Sequence, residues 1–174
     1  MKHKPIHRYG HAYSSGLFIW PVVQKDILTQ GKCSTMQQLE NGVFTAPQLR
    51  PDDAQKLHDA GIRAVICNRP DHEEPHQPQA AELAEALAVH DIPFYEIPVV
   101  PGQINQAQLD EFAQTLQETG KPTLIFCRTG TRSTHLWAMV RCRELGVDAV
   151  INQAALAGYD IAPMRPLLEN IAQG

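Results

Sequence analysis

No apolar run in this sequence approaches the about eighteen residues that a membrane-spanning helix needs, so no membrane span is expected. Basic residues are not in excess: 15 Lys and Arg stand against 19 Asp and Glu, a formal net charge of −4. That balance argues against a general nucleic-acid binder. Cysteine is sparse and scattered. The four, Cys33, Cys67, Cys127 and Cys142, form no C-x-x-C pair, so neither a zinc site nor a disulfide scaffold is indicated. A reducing, cytoplasmic setting fits. A cleavable leader is not expected either, because the apolar stretch from Gly16 to Val23 is short, holds Pro21 and precedes no small-x-small site. His3, His7 and His11 stand four apart, but Pro5 and Gly10 deny them the helix that would make a metal-binding stripe. Neither a metal nor a cofactor is called for.

What is present is a soluble, globular composition, 43% hydrophobic and 20% charged over 174 residues, enough for one domain with a sizeable core. Residues 1–35 break every periodic pattern with Pro, Gly, His and polar residues, and are expected to be a poorly ordered extension. From Met36 to the end, a single catalytic domain is expected. Strands are predicted at Gly42–Ala46, Ile62–Cys67, Phe94–Val100 and Pro122–Phe126, the third with Pro98 near an exposed end or an edge. Helices are predicted at Pro51–Gly61, Ala80–His90, Gln106–Glu118 and His135–Leu145, with Pro at the first start and Gly at three of the stops. Val147–Ile151 reads as a short strand or an extended link, and two short helices follow at Gln153–Ala157 and Pro163–Ala172. This alternation implies an α/β sandwich: a central, mainly parallel sheet of four or five strands flanked by helices. Ligands of such sheets bind beyond the carboxyl ends of the strands.

One stretch organises the rest. Phe126-Cys127-Arg128-Thr129-Gly130-Thr131-Arg132-Ser133-Thr134 carries the chain from a buried strand into a helix N-terminus. A turn there aims successive backbone N–H groups and the positive end of a helix dipole into one small bowl. Arg132 adds a fork of donors, and Ser133 or Thr134 a hydroxyl. Such a bowl stabilises negative charge on sulfur and makes Cys127 a nucleophile. It also suits a tetrahedral oxyanion such as phosphate, sulfate or thiosulfate, held by Arg128, Thr129, Gly130, Thr131 and Ser133.

The pairing of Ile66-Cys67-Asn68-Arg69-Pro70-Asp71-x-Glu73-Glu74 with Phe126-Cys127-Arg128-Thr129-Gly130-Thr131-Arg132-Ser133 resembles a bacterial family. It is the phosphatase-like domain also found fused to β-lactamase-like hydrolases. Ala60-Gly61-Ile62-Arg63, Tyr95-Glu96-Ile97-Pro98-Val99, His135-Leu136-Trp137-Ala138 and Ala157-Gly158-Tyr159-Asp160 extend the likeness from about Met36 to the C-terminus. The resemblance implies the fold of dual-specificity cysteine phosphatases. Members of the family have been labelled both phosphatase-like and sulfurtransferase-like. Two features depart from cysteine phosphatases, which carry C-x5-R and an Asp after the strand preceding the nucleophile's own helix–strand unit. Here the spacing from Cys127 to Arg132 is C-x4-R, which looks like the six-residue loop of single-domain rhodaneses. The place of the acid is held by Val99-Val100-Pro101-Gly102-Gln103, with no carboxylate.

Both departures favour sulfur chemistry: Cys127 takes sulfur from a thiosulfate-like donor as a persulfide and passes it to a thiol or other thiophilic acceptor. The alternatives are a phosphatase acting through a Cys127 thiophosphate, and a non-catalytic oxyanion-binding module. Asp71 is the replacement acid if one is needed, or else a residue that fixes its own loop. Arg69 is a candidate second anchor for an anionic substrate. Cys67 is a candidate resolving thiol for an oxidised Cys127, provided that its side chain shares that face of the sheet. Expected partners are a small oxyanion or sulfur donor, and neither nucleic acid nor membrane.

Overall fold

A computed structural model describes residues 36–174. The expectations for residues 1–35, including the loose extension and the histidine stripe, lie outside the described residues, as does Cys33.

The first structure is a hairpin that the sequence reading passed over. Strands β1 (Gln37–Glu40) and β2 (Val43–Ala46) run antiparallel, with Glu40 opposite Val43 across the two-residue turn Asn41-Gly42. Asn-Gly between two strands is a strong short-range hairpin signal, and Gly42 takes the positive φ, +78°, that such a turn requires. The remaining strands are β3 (Ala64–Cys67), β4 (Phe94–Glu96) and β5 (Thr123–Phe126). Their order is β1-β2-β5-β3-β4, all parallel apart from β1, so the sheet has five strands with β5 at its centre.

Every residue of β3 and β5 is buried, as expected of central parallel strands covered on both faces. Alternation sends their side chains into two cores. Ile66 and Ile125 join Val43, Phe112, Leu136 and Trp137 on one side of the sheet, under helices α3 (Gln106–Glu118), α4 (Thr131–Leu145), α5 (Val147–Leu156) and α6 (Arg165–Gln173). Val65, Cys67, Leu124 and Phe126 join Leu57, Leu83 and Leu87 on the other, under α1 (Ala54–Asp59), which a 3₁₀ turn at Pro51–Asp53 precedes, and α2 (Ala80–Ala88). The expected α/β sandwich is therefore the observed fold.

Most boundaries shift by a few residues, and three differences are larger or change the element, each for a local reason. The third predicted strand ends at Glu96 rather than Val100, because Pro98 has no N–H to give the ladder. The chain still runs beside β3, through Ile97 N–H to Cys67 O (2.9 Å) and Val99 N–H to Asn68 O (3.1 Å). Val147–Ile151 is neither strand nor link but the first half of α5. Gly146, at φ +89° and ψ 148°, ends α4 and restarts a helix at once, and the buried Val150, Ile151 and Ala154 fall on one helical face. The helix after the cysteine begins at Thr131, not His135, so the loop proper is only Arg128–Gly130.

Candidate active site

Cys127 follows β5 directly and is 1% exposed, at the bottom of the loop. Gly130 then takes φ +87°, the left-handed conformation that turns the chain into α4, where it is the N-cap. The N–H groups of Arg128, Thr129 and Gly130 donate to no backbone carbonyl among the described residues, and Thr131 N–H meets only the Thr129 hydroxyl, at 3.4 Å. The first-turn amides of a 15-residue helix stand behind them.

The carbonyls of the same loop are engaged from outside. Arg128 O accepts from Gln48 N–H (3.1 Å) and Thr129 O from the Tyr159 hydroxyl (3.3 Å). Gly130 O accepts from the hydroxyls of Thr45 (3.3 Å) and Thr134 (2.9 Å). Since C=O and the next N–H point in opposite directions across a trans peptide, outward carbonyls mean inward amides.

Arg132 is braced by the segment after β3. Its Nη2 donates to Glu73 Oε1 (2.6 Å) and its Nη1 to Asn68 O (3.2 Å), while its buried Nε has no partner among the described residues. The buried Ser133 Oγ is likewise unpaired. Asn68 is a strut: it gives its N–H to Phe126 O (2.8 Å) and its Nδ2 to Ile97 O (3.1 Å), tying together the ends of three strands. Burial alone would raise the Glu73 carboxyl, but hydrogen bonds from Arg69 and Arg132 override it and hold the group below the usual carboxylate range. Glu73 is thus a standing anion that orients Arg132, not a proton donor.

Several site expectations find different places. Arg69 is not available as a substrate anchor. Its side chain, 3% exposed, is filled by Glu73 (2.8 Å), Glu74 (2.7 Å) and Gln48 Oε1 (2.7 Å). Glu74 in turn pairs with Arg128 (2.8 Å). Asp71 is exposed, and its carboxylate accepts the first N–H of α2, from Ala80 (2.9 Å), the loop-fixing role. Cys67 pairs across the sheet with Phe126, and both point into the core under α1 and α2. Cys127 is the residue just past the end of β5, so continued alternation turns it away from that core. Cys67 donates its S–H to Arg69 O (3.4 Å), and burial pushes its thiol up to about 12. That is a protonated thiol held in the core. The place proposed for an acid, residues 99–103, offers no carboxylate.

Four residues near the loop, Thr45, Gln48, Asn68 and Tyr159, were not singled out from sequence. Asn68 and Tyr159 lie in stretches that carry the family resemblance but had no role assigned, whereas Thr45 and Gln48 carried no signal. Beside the loop, Arg50, His76, Gln77, Arg128 and Thr129 help line a groove of about 400 Å³. Among the described residues no three His, Cys, Asp or Glu side chains gather as a metal site, and no helix is long and apolar enough to cross a membrane.

The sequence model for the phosphatase-like domain of β-lactamase hydrolase-like proteins matches residues 35–144. A β-lactamase hydrolase-like protein of Xylella fastidiosa is 35% identical over 84 residues, which are 45% of this chain and 18% of that protein. The match therefore spans about a fifth of the relative's length. A crystallised candidate phosphatase from Neisseria meningitidis is 34% identical at a TM-score of 0.71, over 78% of this chain and 96% of that one. The core catalytic domain of the PP-IP phosphatase Siw14 of S. cerevisiae, in complex with citrate, shares the fold. It is 16% identical, with a TM-score of 0.59 over 77% of this chain and 83% of that one.

Proposed function

The chain belongs to the phosphatase-like domain family of β-lactamase hydrolase-like proteins, and from that premise we propose that it is a cysteine-dependent phosphatase. The observation that carries the reading is the set of donors that follow Cys127 in the loop and first turn of α4 and find no partner among the described residues: the loop amides, Arg132 Nε and Ser133 Oγ. Cys127 sulfur attacks the phosphorus of a phosphate monoester, and the P–O bond to the leaving group breaks. The charge on the three remaining oxygens is met by donors that are already in position. Water then attacks the thiophosphate, releasing inorganic phosphate and the thiolate. Among the described residues the two nearest acid candidates in the sequence are otherwise engaged, Asp71 at the start of α2 and Glu73 as an anion between two guanidinium groups, so the leaving oxygen is left without a general acid from either. A general acid contributes about 10²- to 10⁴-fold, so the fitting substrates are those with good leaving groups: aryl phosphates, or phosphoanhydrides, from which phosphate itself departs.

Persulfide transfer is the second reading, favoured by the C-x4-R spacing and the missing acid. Here Cys127 displaces sulfite from thiosulfate and yields the outer sulfur to a thiophilic acceptor. The relatives named above support phosphatase chemistry and lend this reading no support. Parallel assays with an aryl phosphate, and with thiosulfate plus cyanide, decide between them, using Cys127→Ser as the blank. Aryl phosphate turnover that disappears in the blank is the expected result. Cysteine-dependent thiocyanate formation alone would replace it with the second reading, and turnover that survives in the blank would remove both.

A further inference from the structure

We propose that the Tyr159 hydroxyl is a positioning group for the anion-binding loop: it holds the Thr129 carbonyl outward and so turns the Gly130 N–H, in the same peptide plane, into the bowl. This rests on the oxyanion-binding reading of the loop and adds to it the residue that keeps the loop ready.

Each peptide of the loop needs something to choose its orientation. The Arg128–Thr129 peptide is set by Gln48 N–H, part of the backbone leaving β2, and the Gly130–Thr131 peptide by the first turn of α4, through Thr134 N–H and hydroxyl to Gly130 O. The peptide between them is the one most prone to rotate, because its second residue is a glycine at φ +87°, and glycine reaches positive and negative φ about equally. Rotated, it would present the Thr129 carbonyl to the anion. Its outward partner is the Tyr159 hydroxyl at 3.3 Å. The two groups are fitted closely, since a Cβ on Gly130 would collide with that hydroxyl.

Tyr159 is itself held by its backbone. Helix α5 ends in a Schellman motif: Gly158, at φ +88°, gives its N–H to Ala155 O (3.0 Å), and Tyr159 gives its own to Ala154 O (2.8 Å). The ring therefore leaves the helix end at a fixed angle, toward the loop. Burial raises the phenol above its ordinary value; a Thr45 hydrogen bond opposes the rise and the nearby Cys127 sulfur adds to it. The group stays a donor across the range in which the protein would work.

Tyr159→Phe removes the oxygen and keeps the ring. Inorganic phosphate is titrated into ¹⁵N-labelled wild-type protein and variant, and the amide proton shifts of Thr129 and Gly130 are followed to saturation. The expected result is a phosphate-induced shift at Gly130 that shrinks in the variant, an unchanged one at Thr129, and a dissociation constant about five-fold higher or more, the scale of one lost hydrogen bond. Equal Gly130 shifts and affinities in both proteins would overturn the inference alone. A wild-type loop whose amides ignore phosphate would overturn the oxyanion reading and this inference with it. Loss of both loop shifts together, with a lower melting temperature, would make Tyr159 a packing residue and also overturn the proposal. Comparing folded resonances at saturation keeps reduced stability from imitating the expected result.

Discussion

Glu73 is the residue on which most of the site depends, since it takes a guanidinium from each side, Arg69 at 2.8 Å and Arg132 at 2.6 Å. Its carboxyl is held below the usual range. A depressed folded-state value means stability that is fully present above the unfolded value of about 4.3 and is lost as pH falls through the folded one. Glu73→Gln is therefore expected to cost about 1.5–3 kcal/mol at pH 7, the worth of hydrogen bonds to charged groups. Denaturant melts at several pH values should show that difference closing below about pH 4. A constant difference down to pH 2 would mean that the ion pairs contribute nothing. At this scale the candidate nucleophile and its loop were legible, because strand, cysteine, glycine, arginine and helix follow one another in sequence. Asp71 and Arg69 were not, because a carboxylate or a guanidinium beside a turn can serve the loop or a ligand equally well. Only the partners decide, here Ala80 N–H for the one and Glu73, Glu74 and Gln48 for the other.

Among the elements, α5 is the one on whose end the proposed bracing by Tyr159 rests. Gly158 at its stop has open space where a Cβ would stand, with nothing within 4 Å, so an alanine there meets no clash and suffers only the left-handed backbone. Gly158→Ala is expected to cost about 1–2 kcal/mol and, by releasing Tyr159, to weaken phosphate binding as well. Thermal melts and phosphate titration check both, and a variant that loses stability but binds phosphate normally would separate the helix stop from the loop. Helices with a Gly or Pro boundary were legible to within a few residues, α3 to the residue. α5 was not, because Gly146 directly joins two helices and leaves no polar loop to separate them. The hairpin partner β1 escaped because Gln37-Gln38-Leu39-Glu40 offers one buried residue, Leu39, and no alternation to detect.

At the scale of the molecule, the described sheet and both helical layers run from residue 37 to residue 173. A fragment starting at Met36 is expected to unfold in a single cooperative transition. Broad or multistep melting of that fragment would show that residues 1–35 belong to the folding unit. The fold class was legible because β–α alternation with buried β-branched strands leaves few arrangements, whereas the site's bracing was not, since Gln48, Asn68, Glu73 and Tyr159 converge on the loop only through tertiary structure. That bracing runs as a line of alternating charge, Arg132–Glu73–Arg69–Glu74–Arg128, which leaves the first turn of α4 at one end and reaches the loop at the other. A five-membered alternating line has odd parity and both its ends are cations. Removing either carboxylate brings two guanidinium groups face to face, and removing the buried Arg69 does the same to two carboxylates. Among relatives, replacements along this line should therefore come in adjacent pairs of opposite sign, so that lineages gain or lose whole links rather than single members.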